Sequence, residues 1–145
     1  MKISTRGRYG LRALLDLAMH ADQGCVSLSD IAQRQDLSFN YLEGIFSHLK
    51  RAGLVIGIAG SMGGYTLAKP PETMFLYEIL SVLEGDLSVT DRVMQEEESD
   101  IRTFVRKSVW DVLDHSIEST LKNTTVADLI QSFQSQEDSN QCSCL

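Results

Sequence analysis

Residues 27–51 read SLSDIAQRQDLSFNYLEGIFSHLKR, and this stretch decides the fold. Ser27 stands just before an apolar-periodic run, with Asp30 three residues on, a capping-box-like start. Leu28, Ile31 and Ala32 form the inner side of a short helix predicted over 28–35. Ala32 is small enough to let another helix cross closely. Asp36 and Leu37 make a tight connection, and Ser38 offers the next N-cap. A second helix is predicted over 39–52 and ends at Gly53. Leu42, Ile45, Phe46 and Leu49 form its apolar stripe, while Asn40, Glu43, Gly44, Ser47, Lys50 and Arg51 fall on the opposite side. A short helix, a tight turn and a second helix with a polar outer face make a helix-turn-helix pattern.

Two short extended pieces follow, at 54–58 and 65–68, around Ala59-Gly60-Ser61-Met62-Gly63-Gly64. Three glycines in those six residues suit a hairpin tip. A hairpin directly after a helix-turn-helix is the layout of a winged helix. Upstream, Leu11, Leu14, Leu15 and Ala18 recur at helix spacing over 5–22, with Gly24 as the stop. Downstream, Pro70-Pro71 mark a boundary, and a helix is predicted over 74–83, ending near Gly85. Residues 86–100 have no apolar face and read as a mobile loop. A long amphipathic helix is predicted over 101–121, with Ile101, Val105, Val109, Val112, Ile117 and Leu121 close to one side. Thr125, with Asp128 three residues on, starts a last helix to about Phe133, and the polar tail from Ser135 reads as disordered. The expected fold is therefore mainly α with a small β-hairpin wing and a long C-terminal dimerisation helix. Its expected organisation is a winged helix-turn-helix DNA-binding domain at 1–70, an acidic helical dimerisation and sensing region at 71–134, and a tail at 135–145.

The chain has 145 residues, 43% of them hydrophobic and 23% charged, as in ordinary globular domains. No run approaches 18 uninterrupted apolar residues, so no membrane span is expected. The first eight residues hold charges with no apolar run behind them, unlike a secretory signal. Cys25, Cys142 and Cys144 are an odd count without framework spacing, which argues against a disulfide scaffold and for a cytoplasmic location. The net charge of −7 hides a split: residues 1–70 carry eight Lys/Arg and five Asp/Glu, whereas the rest carries five and fifteen. A basic half facing a polyanion and an acidic half with a different task fit that division. An enzyme is not expected. There is no phosphate loop with its lysine, no nucleophile with an evident histidine base and no metal-ligand pair on a helix. The glycines at 60–64 lead into a strand, unlike a dinucleotide fingerprint.

A B-DNA major groove admits one α-helix, whose N-terminal residues reach the base edges. On that geometry Asn40 suits adenine, Glu43 suits cytosine N4, and Tyr41 suits a phosphate or a thymine methyl. Lys50 and Arg51 suit the backbone, as do Lys2, Arg6 and Arg8 at the start of the first helix. Tyr9, Ser38, Ser47, Gly60, Ser61 and Tyr65 complete the expected DNA-facing set. The same polar face also fits a merely solvated helix side. Cys25, two residues before an N-cap, is a redox candidate, because positive potential there favours thiolate. It fits equally well as a small half-buried residue. His20 and His115 read as surface or packed positions and His48 as facing DNA or solvent, while Phe104 and Trp110 read as core or dimer packing.

Several spaced motifs resemble the Rrf-type bacterial transcription regulators. They are Ser4-Thr5-Arg6-Gly7-Arg8-Tyr9-Gly10-Leu11, Leu37-Ser38 with Tyr41-Leu42-Glu43, Leu49-Lys50-Arg51-Ala52-Gly53-Leu54-Val55 and Gly63-Gly64-Tyr65. In the acidic half they are Glu78-Ile79, Val82-Leu83-Glu84-Gly85, Trp110 and Thr125-Val126-Ala127-Asp128-Leu129. The resemblance covers about 1–133 and is strongest to the cysteine metabolism repressors of that family. It implies a homodimer that binds an imperfect palindrome in double-stranded DNA, with the long C-terminal helix crossing its partner's. It also implies control of sulfur or cysteine metabolism and a metabolic-enzyme partner. Departures are visible. Many members carry arginine before the wing glycine, where this chain has Ala59, and Gly44 stands where some have a larger polar residue. Cluster-binding members place three cysteines in the stretch matching 86–107, which here holds no Cys and no His. No metal ligand set and no iron–sulfur cofactor are therefore expected. The alternatives are a winged-helix protein-interaction module and a metal or iron–sulfur sensor with non-standard ligands such as Cys142 and Cys144.

Overall fold

The computed structural model describes residues 1–90 and 100–142. Helix α1 spans Thr5–Met19, and Ser4 caps it by accepting from the Gly7 amide at 3.2 Å. After a 3₁₀ turn at Ala21–Gln23, α2 spans Leu28–Gln35. Ser27 accepts from the Asp30 amide at 3.1 Å, as the capping pattern requires. Asp36, in the left-handed conformation at φ 53°, turns the chain toward α3, Phe39–Arg51. Leu42, Ile45, Phe46 and Leu49 are all buried, so the apolar stripe read from spacing is the core face of α3.

Strands β1 (Val55–Ile58) and β2 (Gly64–Leu67) pair antiparallel, with Val55 opposite Leu67 and Ile58 opposite Gly64. A further rung joins Val26 to Tyr65, each amide donating to the other's carbonyl at 2.9 and 2.8 Å. That rung anchors the wing to the segment before α2. The fold is thus a winged helix-turn-helix followed by helices.

One core takes residues from both sides of Pro70-Pro71. Leu14, Leu17, Ile31, Phe46 and Leu49 pack in the same cluster as Met74, Ile79, Leu83 and Val126. Helix α4 (Leu76–Glu84) crosses α1 closely because Gly10 has no side chain; a β-carbon there would stand 2.6 Å from Leu83 Cδ1. Lys69 and Glu78 form an ion pair at 2.6 Å across the two prolines.

The long amphipathic helix is present, but with an interruption. Helix α5 (Asp100–Val105) passes through a π turn, Arg106–Trp110, into α6 (Asp111–Lys122). A π turn adds one residue, so a stripe drawn at 3.6-residue spacing drifts by roughly 100° across it. The expected stripe is corrected, and it also breaks within α6, where Val112 and Leu121 lie nine residues and about half a turn apart. Leu121 packs on the protomer's own core, and Ile117 is half-buried beside Tyr77 and Leu87. The exposed apolar residues are Ile101, Phe104, Val109, Trp110, Val112 and Leu113, so a core role for Phe104 and Trp110 is excluded.

Helix α7 spans Val126–Cys142, with a reciprocal capping box between Thr125 and Asp128. The expected disordered tail is corrected over 135–142. No glycine or proline interrupts this segment, and Ser139 donates to the Ser135 carbonyl at 3.0 Å. Most of the loop expected at 86–100 falls on residues 91–99, which with 143–145 lie outside the described residues. No helix among the described residues is long and apolar enough to cross a membrane.

Candidate nucleic-acid interface

Helix α3 begins where Ser38 Oγ accepts from the Tyr41 amide at 3.4 Å. The cap fixes which residues occupy the first turns. Asn40, Tyr41 and Glu43 are exposed there, as are Lys50 and Arg51 near the other end. Ser47 is half-buried and accepts from Arg51 Nη2 at 3.3 Å. Between α3 and the wing runs an open groove of about 520 Å³, lined in part by Phe39, Glu43, Lys50, Gly57, Ile58 and Gly60. Gly60 (φ +111°) and Ser61 lie at the exposed wing tip.

A cationic cluster flanks the N-terminal end of α3. Tyr9 meets Tyr41 edge-on, with ring centroids 6.0 Å apart. The guanidinium carbons of Arg8 and Arg12 stand 5.8 and 5.1 Å from the Tyr9 ring centroid, within cation–π range. Arg12 also donates from Nη2 to the Gln35 carbonyl at 2.6 Å, gripping the end of α2. Arg12 was not among the residues singled out from sequence. Its signal was present, since Arg8 and Arg12 lie four apart on one helix face. Arg6 is exposed one turn before Tyr9, and Lys2 is exposed ahead of the helix.

Tyr65 is half-buried and lines the groove between α3 and the wing. Its ring packs on Phe46 with centroids 5.0 Å apart, and its main chain carries the rung to Val26. An aromatic residue at this point of β2 also fixes the wing to the core. Cys25 is half-buried, and its thiol donates to the Met62 carbonyl at 3.0 Å, joining the loop before α2 to the wing tip. His20 Nδ1 lies 2.7 Å from the Asp16 carbonyl oxygen, and His48 is half-buried in the last turn of α3.

A second unforeseen feature orients the helix-turn-helix. Asp16 in α1 is 1% exposed. Its carboxylate accepts from Arg34 Nε at 3.0 Å, Arg34 Nη2 at 2.6 Å and Gln35 Nε2 at 2.9 Å. Burial alone raises its pKa, but the hydrogen bonds from Arg34 and Gln35 and the charges of Arg34 and His20 outweigh it and hold the group below its usual value. The pair latches α2 onto α1.

Residues 86–107 contain no thiol or imidazole, the soft donors that hold an iron–sulfur cluster. Cys142 is exposed near the end of α7, far along the sequence from Cys25, and Cys144 lies outside the described residues.

Comparison with known proteins finds similarity to transcriptional regulators. A family model described as Rrf2, "Iron-dependent Transcriptional regulator", matches residues 3–132. The HTH-type transcriptional regulator CymR of Bacillus subtilis is 40% identical over 129 residues, covering 89% of each chain. The solved structure of CymR, described as the global cysteine regulator of B. subtilis, superposes with a TM-score of 0.79 at 38% identity, covering 91% of this chain and 98% of that one. IscR of T. potens gives 0.74 at 41% identity, covering 91% and 88%. The oxidised form of Staphylococcus aureus CymR gives 0.72 at 37% identity, covering 90% and 96%.

Proposed function

Because this chain belongs to the Rrf2 family of transcriptional regulators, which are DNA-binding proteins and not enzymes, we propose that it is a homodimeric repressor reading an imperfect palindrome in double-stranded DNA. The observation that carries this reading is the exposed polar face of α3, set between the Arg8–Tyr9–Arg12 cluster and the wing. Residues 1–70 read DNA, and residues 71–134 dimerise and sense, all in the cytoplasm. Asn40 and Glu43 read bases. Lys2, Arg6, Arg8, Lys50, Arg51, Ser61 and the Gly60 amide hold phosphates, and Arg12 joins them. Two-fold symmetry then puts half-sites about one helical turn, or a multiple of it, apart.

Dimerisation is supported by the exposed apolar patch of Ile101, Phe104, Val109, Trp110, Val112 and Leu113. So many large apolar side chains in one short stretch mark an interaction site. The regulator works without an iron–sulfur cluster, for want of soft ligands in 86–107. Its regulatory range is sulfur or cysteine metabolism or a redox response, an extension from the similarity to CymR. Two routes carry the signal. One is oxidation of Cys25, whose adduct would break the thiol's bond to the wing tip; the oxidised S. aureus relative supports it. The other is a metabolic-enzyme partner on the acidic half.

Sequencing of genomic fragments captured by the purified protein tests the reading. Recovery of one palindromic motif is the expected result. Lys50→Ala and Arg51→Ala are expected to weaken all sequences alike, and Asn40→Ala and Glu43→Ala to change the preferred base. Capture of no DNA sinks the proposal in favour of a protein-interaction module.

A further inference from the structure

Helix α1 begins with a local conflict. Its first turn carries Arg6 and Arg8 and no acidic residue, although the N-terminal end of a helix is its positive end. The missing negative charge comes from 80 residues away. Glu84, the last residue of α4, accepts with Oε1 from the Ser4 amide at 3.0 Å and from Ser4 Oγ at 2.6 Å. Ser4 Oγ in turn accepts from the Gly7 amide, so the hydroxyl relays the carboxylate's charge into the first turn. Gly7 makes the approach possible, since a β-carbon there would stand 2.0 Å from Glu84 Oε1. The Met1 amine donates to the Val89 carbonyl at 3.3 Å. Met1 and Ser4 are therefore tied to the segment 84–89 that leaves α4.

We infer that Glu84, an acidic-half residue, is a positioning residue for DNA binding, its carboxylate holding the start of α1 and with it the cationic clamp of Lys2, Arg6 and Arg8. The inference rests on the DNA-binding reading above. It makes an unusual demand, because Glu84→Gln has two opposed consequences. The substitution raises the formal net charge of −7 by one, which by bulk electrostatics favours a polyanion. It also removes the charge that offsets the clamp's own cations at the helix end, leaving the clamp free to fray. If the anchor matters, binding weakens despite the gain in positive charge. Every phosphate that a frayed clamp releases also makes the slope of log affinity against log salt shallower by about 0.9.

The test is an anisotropy titration of the full chain on a mixed-sequence duplex about three helical turns long, repeated across salt concentrations. Wild type, Glu84→Gln and Ser4→Ala are compared. Several-fold weaker binding at low salt and a slope shallower by about one to two are expected for Glu84→Gln, with Ser4→Ala moving the same way. A general loss of stability would lower the active fraction without changing the slope. Ser4 is exposed, so that variant decides the matter if Glu84→Gln fails to fold. Glu84→Gln or Ser4→Ala binding as tightly as wild type, or more tightly, with the same slope would overturn the inference while leaving the DNA-binding reading intact. A wild type without salt-dependent DNA binding would remove both.

Discussion

Replacing Asp16 by asparagine tests whether the buried latch sets the helix-turn-helix. Three nitrogen donors converge on a carboxylate that is 1% exposed, and His20 Nδ1 lies 3.6 Å from Oδ1. An asparagine side chain of the same shape offers one accepting oxygen and turns an NH2 toward donors. Removing one partner of a buried pair costs about 3–5 kcal/mol. Arg34 keeps 36% of its side chain in water, so solvent takes over part of its pairing. A loss of about 2–4 kcal/mol is therefore expected at neutral pH. In a chain of this length that lowers the melting temperature by roughly 6–12 °C. The pH dependence has a definite sign. The folded pKa of Asp16 lies below its ordinary 3.8. Its stabilisation is present above the unfolded value and lost as pH falls through the folded one. The asparagine variant cannot follow, so the gap between the two proteins is full at neutral pH and closes as the solution is acidified below the ordinary carboxylate range. Thermal melts at fixed protomer concentration, needed because dimerisation is linked to stability, measure both quantities. A loss under about 1 kcal/mol at neutral pH, or a gap of equal size on both sides of that range, would refute a paired buried carboxylate.

Three further outcomes are expected. Val109→Asp with Val112→Asp puts charge into the exposed apolar patch of the long helix and should yield monomers that no longer bind DNA, read by light scattering; a wild type already monomeric at micromolar concentration would contradict the dimer. Gly10→Ala should destabilise by about 1–3 kcal/mol because its β-carbon meets Leu83, whereas Gly44→Ala, with nothing within 4 Å on the outer face of α3, should stabilise by about 0.5–1 kcal/mol; urea unfolding separates the two. Protein purified anaerobically should be colourless and iron-free, and its DNA affinity should drop after mild peroxide unless Cys25 is replaced by serine. Stoichiometric iron would end the cluster-free proposal, and indifference to peroxide would retire Cys25 as a sensor.

Much of this protein was legible in residue spacing because its helices announce themselves locally. Ser27 and Ser38 cap, Leu42, Ile45, Phe46 and Leu49 alternate with a polar face, and the glycines at 60–64 turn a hairpin. Caps, periodicity and turn residues act over a few positions, so a linear reading captures them. The exposed polar residues of α3 followed from the same periodicity. What only the tertiary structure decided are pairings between residues far apart in the chain. Asp16 looks like a solvated charge until Arg34 and Gln35 arrive 18 and 19 residues later. Nothing in the spacing of Tyr65 shows that its ring packs on Phe46. Leu121 was expected in one apolar stripe with Val112, yet both lie in α6 nine residues apart, about half a turn on a regular helix, and the docking of α6 on α4 turns Leu121 to the core and leaves Val112 in solvent. Glu84 is one more carboxylate in an acidic half until the fold lays it on the first turn of α1. Local free-energy preferences fix which elements form, but the orientation of each side chain about its element is settled only when the elements pack.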